Sequence, residues 1–195
     1  MSAPAAAMVE PKALEVTLDD GKRRSAALAY APAGATRGVV VIHEIFGARY
    51  PEIDRVCANF ASKGYAVCAP DLFAGCVQPV CLVKSLQAVM TGKGPQLDTI
   101  FAARDWITAN AKVDKAHIGI IGFCLGGGFA LAAGPGFGAV STNYGDIPPA
   151  KVLEQSPPVI GCYGGRDLIM GRNGKKLDAR LPKSVLREIH DFPSV

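Results

Sequence analysis

The sequence predicts a three-layer α/β domain, with a mostly parallel central sheet and helices on both faces. Three observations lead there. Residues 38–43 (GVVVIH) are short, β-branched and apolar on both sides, as a strand covered from above and below must be. Similar runs recur at Tyr65–Ala69 and Ile118–Ile121. Stretches of helical period separate them, and strands alternating with helices build a parallel sheet with right-handed crossovers.

In chain order, residues 14–18 (LEVTL) and 26–30 (AALAY) flank the turn Asp20-Gly21 and read as a hairpin, the antiparallel edge of the sheet. The strand at 38–42 is central. After Pro51, the residues Ile53, Val56, Cys57 and Phe60 fall on one helical face, and Gly64 stands where a C-cap belongs, which predicts a helix over 51–63. Further helices are expected at 95–110 and 124–133, and further strands at 139–142, 158–163 and 185–192. Segments 74–94 and 168–181 show no clear period and are expected to be loops or short helices flanking the site. No internal repeat is present.

A length of 195 residues and 20.3 kDa suits one domain, residues 1–195, with a substantial core. The net charge of +4 is spread thinly, with clusters only at 22–24 (KRR) and 175–176 (KK), so no nucleic-acid partner is expected. The first residues carry no secretory signal, and no run reaches the roughly 18 apolar residues of a membrane span. The expectation is a cytoplasmic protein without a membrane partner, monomeric as a complete domain. Its six cysteines lie mostly in apolar segments and are expected to be reduced thiols. No CxxC pair occurs and the three histidines are far apart, so no metal site and no cofactor are expected.

The chemistry concentrates at 122–128, GFCLGGG, between a buried strand and an Ala/Leu-rich helix. A nucleophile on a sharp strand-to-helix turn needs small residues two before and two after it, and Gly122 and Gly126 flank Cys124 in that way. The N–H of Leu125, at the helix N-terminus, faces the place where an oxyanion would form, and the same helix end favours the reactive thiolate. A glycine-rich phosphate cradle is the competing reading, but GFCLGGG matches neither GxGxxG nor the P-loop, and two parallel strands precede it.

A second signal is His43-Glu44-Ile45-Phe46-Gly47, directly after the central strand. With GYAVCAPDLFAG at 64–75, IGFCLGGG at 121–128 and YGGRD at 163–167, these blocks resemble the dienelactone hydrolase family of α/β-hydrolases over nearly the whole chain. The resemblance implies Cys124 as nucleophile, Asp167 as the acid of the triad, and the N–H groups of Ile45 and Leu125 as oxyanion hole. It implies that Glu44 interacts with the thiol at rest and, displaced by substrate, helps to deprotonate it. On the residues alone, a carboxylate beside a thiol in an apolar cleft can serve as a base, while capping the next helix is the other role open to Glu44. Asp167 read alone is equally a turn aspartate. Tyr144 and Phe46 are candidate substrate-binding residues.

The family's closing Gly-His does not follow Asp191-Phe192-Pro193-Ser194-Val195, so the resemblance implies a chain incomplete at its C-terminus, without the triad histidine and the last helix. An exposed apolar patch is expected where that helix would lie. His190 falls within a predicted strand and is not expected to be the base. The expected activity is hydrolysis of small esters or lactones. The alternatives are a ligand-binding relic without turnover and a thiol-redox sensor.

Overall fold

Strands β1 (Leu14–Asp19) and β2 (Arg24–Tyr30) form the expected hairpin, with Leu14 opposite Ala29 and Asp19 opposite Arg24. The computed structural model describes residues 13–21, 24–45, 48, 51–73, 79–166 and 173–193. Beyond the hairpin, β2 lies antiparallel to β4 (Tyr65–Pro70), and β4 pairs in parallel with β3 (Arg37–Ile42). The sheet continues in parallel through β5 (Ile118–Phe123), β6 (Ala139–Asn143), β7 (Val159–Gly164) and β8 (Arg187–Phe192). The order is β1-β2-β4-β3-β5-β6-β7-β8, which puts β3 and β5 side by side at the centre.

Helices cover both faces, as expected. They are α1 (Pro51–Ser62), α2 (Pro79–Thr91), α3 (Pro95–Ala111), α4 (Leu125–Ala133), the short α5 (Ala150–Leu153) and α6 (Asn173–Arg180). On β3 the side chains alternate between layers. Val39 and Val41 pack with Ile53, Cys57 and Ala61 of α1, while Val40 and Ile42 belong to the larger cluster with Ile100 and Ile107 of α3 and Phe129 and Leu131 of α4. That double burial is why 38–42 is apolar at consecutive positions. Each such aliphatic side chain contributes about 1.5–3 kcal/mol on burial, so these central strands hold the site's framework.

The layers are unequal. Helix α1 contacts β2, β3 and β4, whereas among the described residues no helix covers the outer face of β5 to β8. Ile160 (47% exposed), Leu186 (75%) and Phe192 (48%) lie open there. A groove of about 920 Å³ runs along this face between Phe60, Tyr65, Ile121 and Leu186.

Two expectations change. Residues 79–91, expected as loop or short helix, form a 13-residue helix. Cys81 within it is disulfide-bonded, which corrects the expectation of reduced thiols throughout; Cys57, Cys68, Cys124 and Cys162 are not in disulfides. The expectation came from the missing export signal, and compartment arguments say nothing about local geometry.

Candidate active site

Cys124 occupies the hinge between β5 and α4 with φ 53° and ψ −124°, a region that non-glycine residues avoid unless the surroundings impose it. The surroundings do. A Cβ on Gly122 would stand 2.0 Å from the Gly126 carbonyl oxygen, and one on Gly126 would stand 2.6 Å from the Ile42 oxygen. The Cys124 N–H donates to Asn143 O at 3.0 Å and the Gly127 N–H donates to Cys124 O at 2.9 Å, which ties the turn to β6 and to its own helix. Asn143 Nδ2 also donates to Gly122 O at 3.2 Å. The thiol is half-buried.

Leu125 contributes the first N–H of α4, one of those the helix itself leaves for an outside acceptor. Ile45 lies three residues past the end of β3, and the close approach of Gly126 to the Ile42 and His43 carbonyls brings the end of β3 against the elbow.

The loop after β3 is anchored by His43, which is 1% exposed. Its Nε2 accepts from the Leu72 N–H at 3.0 Å and its Nδ1 faces the Glu44 carbonyl oxygen at 2.5 Å. Burial lowers its basicity, against the raising influence of the Glu44 carbonyl and of Asp71. A neutral ring with hydrogen on Nδ1 satisfies both contacts. The Glu44 side chain is held separately, since the Tyr144 hydroxyl donates to Glu44 Oε1 at 2.6 Å. Burial first, and the Glu44 carboxylate next, keep the Tyr144 phenol protonated well above its usual range; Cys124 adds to the effect, so the three groups share one neighbourhood.

A family model described as the dienelactone hydrolase family matches residues 25–195. The chain belongs to the dienelactone hydrolase family. A carboxymethylenebutenolidase of Rhodococcus opacus is 31% identical over 150 residues, covering 69% of this chain and 58% of its own length. A Methylorubrum extorquens relative is 28% identical over 173 residues, 79% of this chain and 59% of its own. The chain thus spans less than two thirds of the curated relatives it matches. Among solved structures, a dienelactone hydrolase from Anabaena variabilis superposes with TM-score 0.70 at 22% identity, over 94% of this chain and 87% of that one. An esterase from Pyrobaculum calidifontis gives 0.66 at 15%, over 94% and 76%. These likenesses establish the α/β-hydrolase fold.

In this family member the structure brings Cys124, Leu125, Ile45, Glu44 and Tyr144 to the ends of β3, β5 and β6. Asp167 and Phe46 lie outside the described residues. None of the three histidines reaches the thiol. Both ring nitrogens of His43 are engaged. His117 precedes β5, seven residues before Cys124 and therefore roughly 20 Å away along the strand. His190 pairs with Cys162, which pairs with Asn143, which pairs with Phe123, so three strand spacings, about 14 Å, separate it from the elbow. Sequence reasoning missed His43 as loop anchor; its place at the mouth of a buried strand was the available signal. Among the described residues no cluster of three or more potential metal ligands occurs, and no helix is long and apolar enough to cross a membrane.

Proposed function

We propose that this chain transfers the acyl group of a small ester or lactone to Cys124, the first half of a hydrolase cycle. The observation that carries the reading is the elbow itself: a strained Cys124, fixed by the close approach of Gly122 and Gly126, with Tyr144, whose hydroxyl donates to the Glu44 carboxylate, in its electrostatic neighbourhood. Glu44 takes the thiol proton and Sγ attacks the carbonyl carbon. The carbonyl oxygen collects the negative charge between the Ile45 and Leu125 N–H groups. The oxyanion then collapses, the C–O bond to the leaving oxygen breaks, that oxygen takes the proton held by Glu44, and a thioester remains on Cys124. Phe46 and Tyr144 border the substrate. No cofactor enters.

Hydrolysing the thioester needs a base for water. The family pattern assigns that work to a histidine oriented by the acid, here Asp167. Among residues 1–195 no histidine stands near Cys124, so these residues by themselves carry the cycle as far as the thioester.

Mixing the protein with p-nitrophenyl acetate and following it by mass spectrometry tests the reading. The expected result is one acetyl group, on Cys124, that persists after the nitrophenol burst and is absent from Cys124→Ala. Equal nitrophenol release by Cys124→Ala overturns it.

A further inference from the structure

Strand β8 closes the sheet, and among the described residues no strand pairs with its far side. On the near side it is laddered to β7, where the Val159 N–H donates to Leu186 O at 3.0 Å and the Gly165 N–H to Phe192 O at 2.8 Å. Backbone groups alternate in direction along a strand, so Leu186, Glu188, His190 and Phe192 turn theirs toward β7. The N–H and C=O groups of Arg187, Ile189 and Asp191 therefore point out along the free edge. Sheet proteins blunt such edges with lysine, proline or a bulge. Strand β8 has neither lysine nor proline, and its register with β7 runs unbroken from Arg187 to Phe192. Exposed apolar side chains, Leu186 and Phe192, stand at its two ends instead.

Only the outward-turned residues exchange hydrogen bonds with an added strand, which leaves few registers for two copies of β8 meeting antiparallel about a two-fold axis. An axis at Arg187, Glu188 or Asp191 sets that charge against itself, and one at His190 sets Ile189 against Asp191 and Glu188 against Phe192. An axis at Ile189 avoids all of this. Ile189 then meets Ile189, Arg187 meets Asp191, Glu188 meets His190 and Leu186 meets Phe192. Each directly opposed pair is apolar, oppositely charged, or an imidazole against a carboxylate, and the two residues of a pair share a face of the sheet. Arg187 already uses Nε on Asp178 and Nη1 on the Pro182 carbonyl, and a guanidinium with five donors keeps those contacts while facing an aspartate. We propose that β8 is a homodimer interface, in which two copies of the protein pair edge to edge about a two-fold axis at Ile189 and join their sheets into one. The pairing differs from the monomeric state expected from the sequence, and it does not depend on the chemistry at Cys124. One strand pair is a small contact, of the size of transient interfaces, so dimerisation in the micromolar range is expected.

Sedimentation velocity between about 1 and about 200 µM protein is expected to show monomer passing into dimer. Monomer throughout overturns the proposal and leaves the edge to a strand of a different partner. Asp191→Lys sets a cation against Arg187 of the other copy, and Arg187→Glu sets a carboxylate against Asp191. Each alone should weaken dimerisation at least about tenfold. An equimolar mixture of the two should dimerise again, because the exchanged charges then meet. Undiminished dimers in both variants, or no recovery in the mixture, overturn the register. Cysteine substitution decides the question even if a charge variant does not fold. With oxidised glutathione, Ile189→Cys should form a disulfide between copies, since the Cα atoms of a hydrogen-bonded antiparallel pair lie about 5.5 Å apart. Glu188→Cys should not, because it faces His190 and the two 188 positions lie beyond the roughly 7 Å that a disulfide spans. Peptide mapping separates these links from any at Cys124. Cross-linking at both positions alike, or at neither, overturns the proposal.

Discussion

The Leu72 N–H donates to Nε2 of His43 at 3.0 Å, so the loop bearing Glu44 and Ile45 hangs on a histidine that must stay neutral to accept. Asp71, 3.9 Å from the same nitrogen, offsets the burial only in part. The folded-state basicity lies below the ordinary value of 6.5. Below that pH the unfolded chain therefore binds a proton that the folded chain refuses, and stability falls as pH falls, by at most about 1.4 kcal/mol per pH unit from this residue. Urea unfolding near pH 7.5 and near pH 5.5 should show a steeper loss in wild type than in His43→Gln. Equal slopes would contradict a neutral, load-sharing His43.

Backbone contact at the elbow makes a sharp prediction for single methyl groups. Gly122→Ala places a carbon 2.0 Å from a backbone oxygen that no side-chain rotation can move, and should destabilise the fold by about 3 kcal/mol or more. Gly119→Ala, three residues earlier on the same strand, meets nothing closer than 3.6 Å and should change stability by less than about 1 kcal/mol. Thermal denaturation of the two variants decides it, and similar midpoints would refute the close approach.

Deacylation supplies the third prediction. If no histidine of the chain serves Cys124, then His117→Ala and His190→Ala should lose the acetyl group from Cys124 as slowly as wild type. Steady turnover should lie at least about a thousandfold below that of an enzyme with a complete triad. Rapid turnover abolished by His190→Ala would place a base where the strand register puts none.

The open face of β5 to β8 gives a fourth. Ile160→Lys and Leu186→Lys put charge on residues already 47% and 75% exposed. They should leave unfolding free energy within about 0.5 kcal/mol while lowering binding of a hydrophobic dye such as ANS. A large loss of stability would mean that these side chains are packed.

What could be read from the sequence follows the physics of each element. The strand at 38–42 and helix α1 were legible because burial on two faces, or on one stripe, leaves a period. Helix α2 was not, because its buried stripe of Ser85, Ala88 and Val89 includes a polar residue while Leu82, Val83 and Leu86 face outward, so apolar residues stand all round it. Helix α6 buries a single large aliphatic, Leu177, beside Asn173 and Gly174. At the site, the Gly-Phe-Cys-Leu-Gly turn showed itself through its small residues. The Glu44–Tyr144 contact joins residues 100 positions apart, and no local pattern encodes such a meeting.

The central pairing of β3 with β5 sets the order of events when the chain folds. Gly38 pairs with Ile118 and Ile42 with Gly122, a separation of 80 residues, and the intervening chain includes β4 and the three helices α1, α2 and α3. Closing so long a loop costs entropy before any contact of the parallel ladder repays it, which makes this register a slow, late step. Hairpin β1–β2 can form early without it. Because Glu44 and Ile45 extend from β3 and Cys124 from β5, a refolding chain can acquire most of its helix before it has a cleft at all.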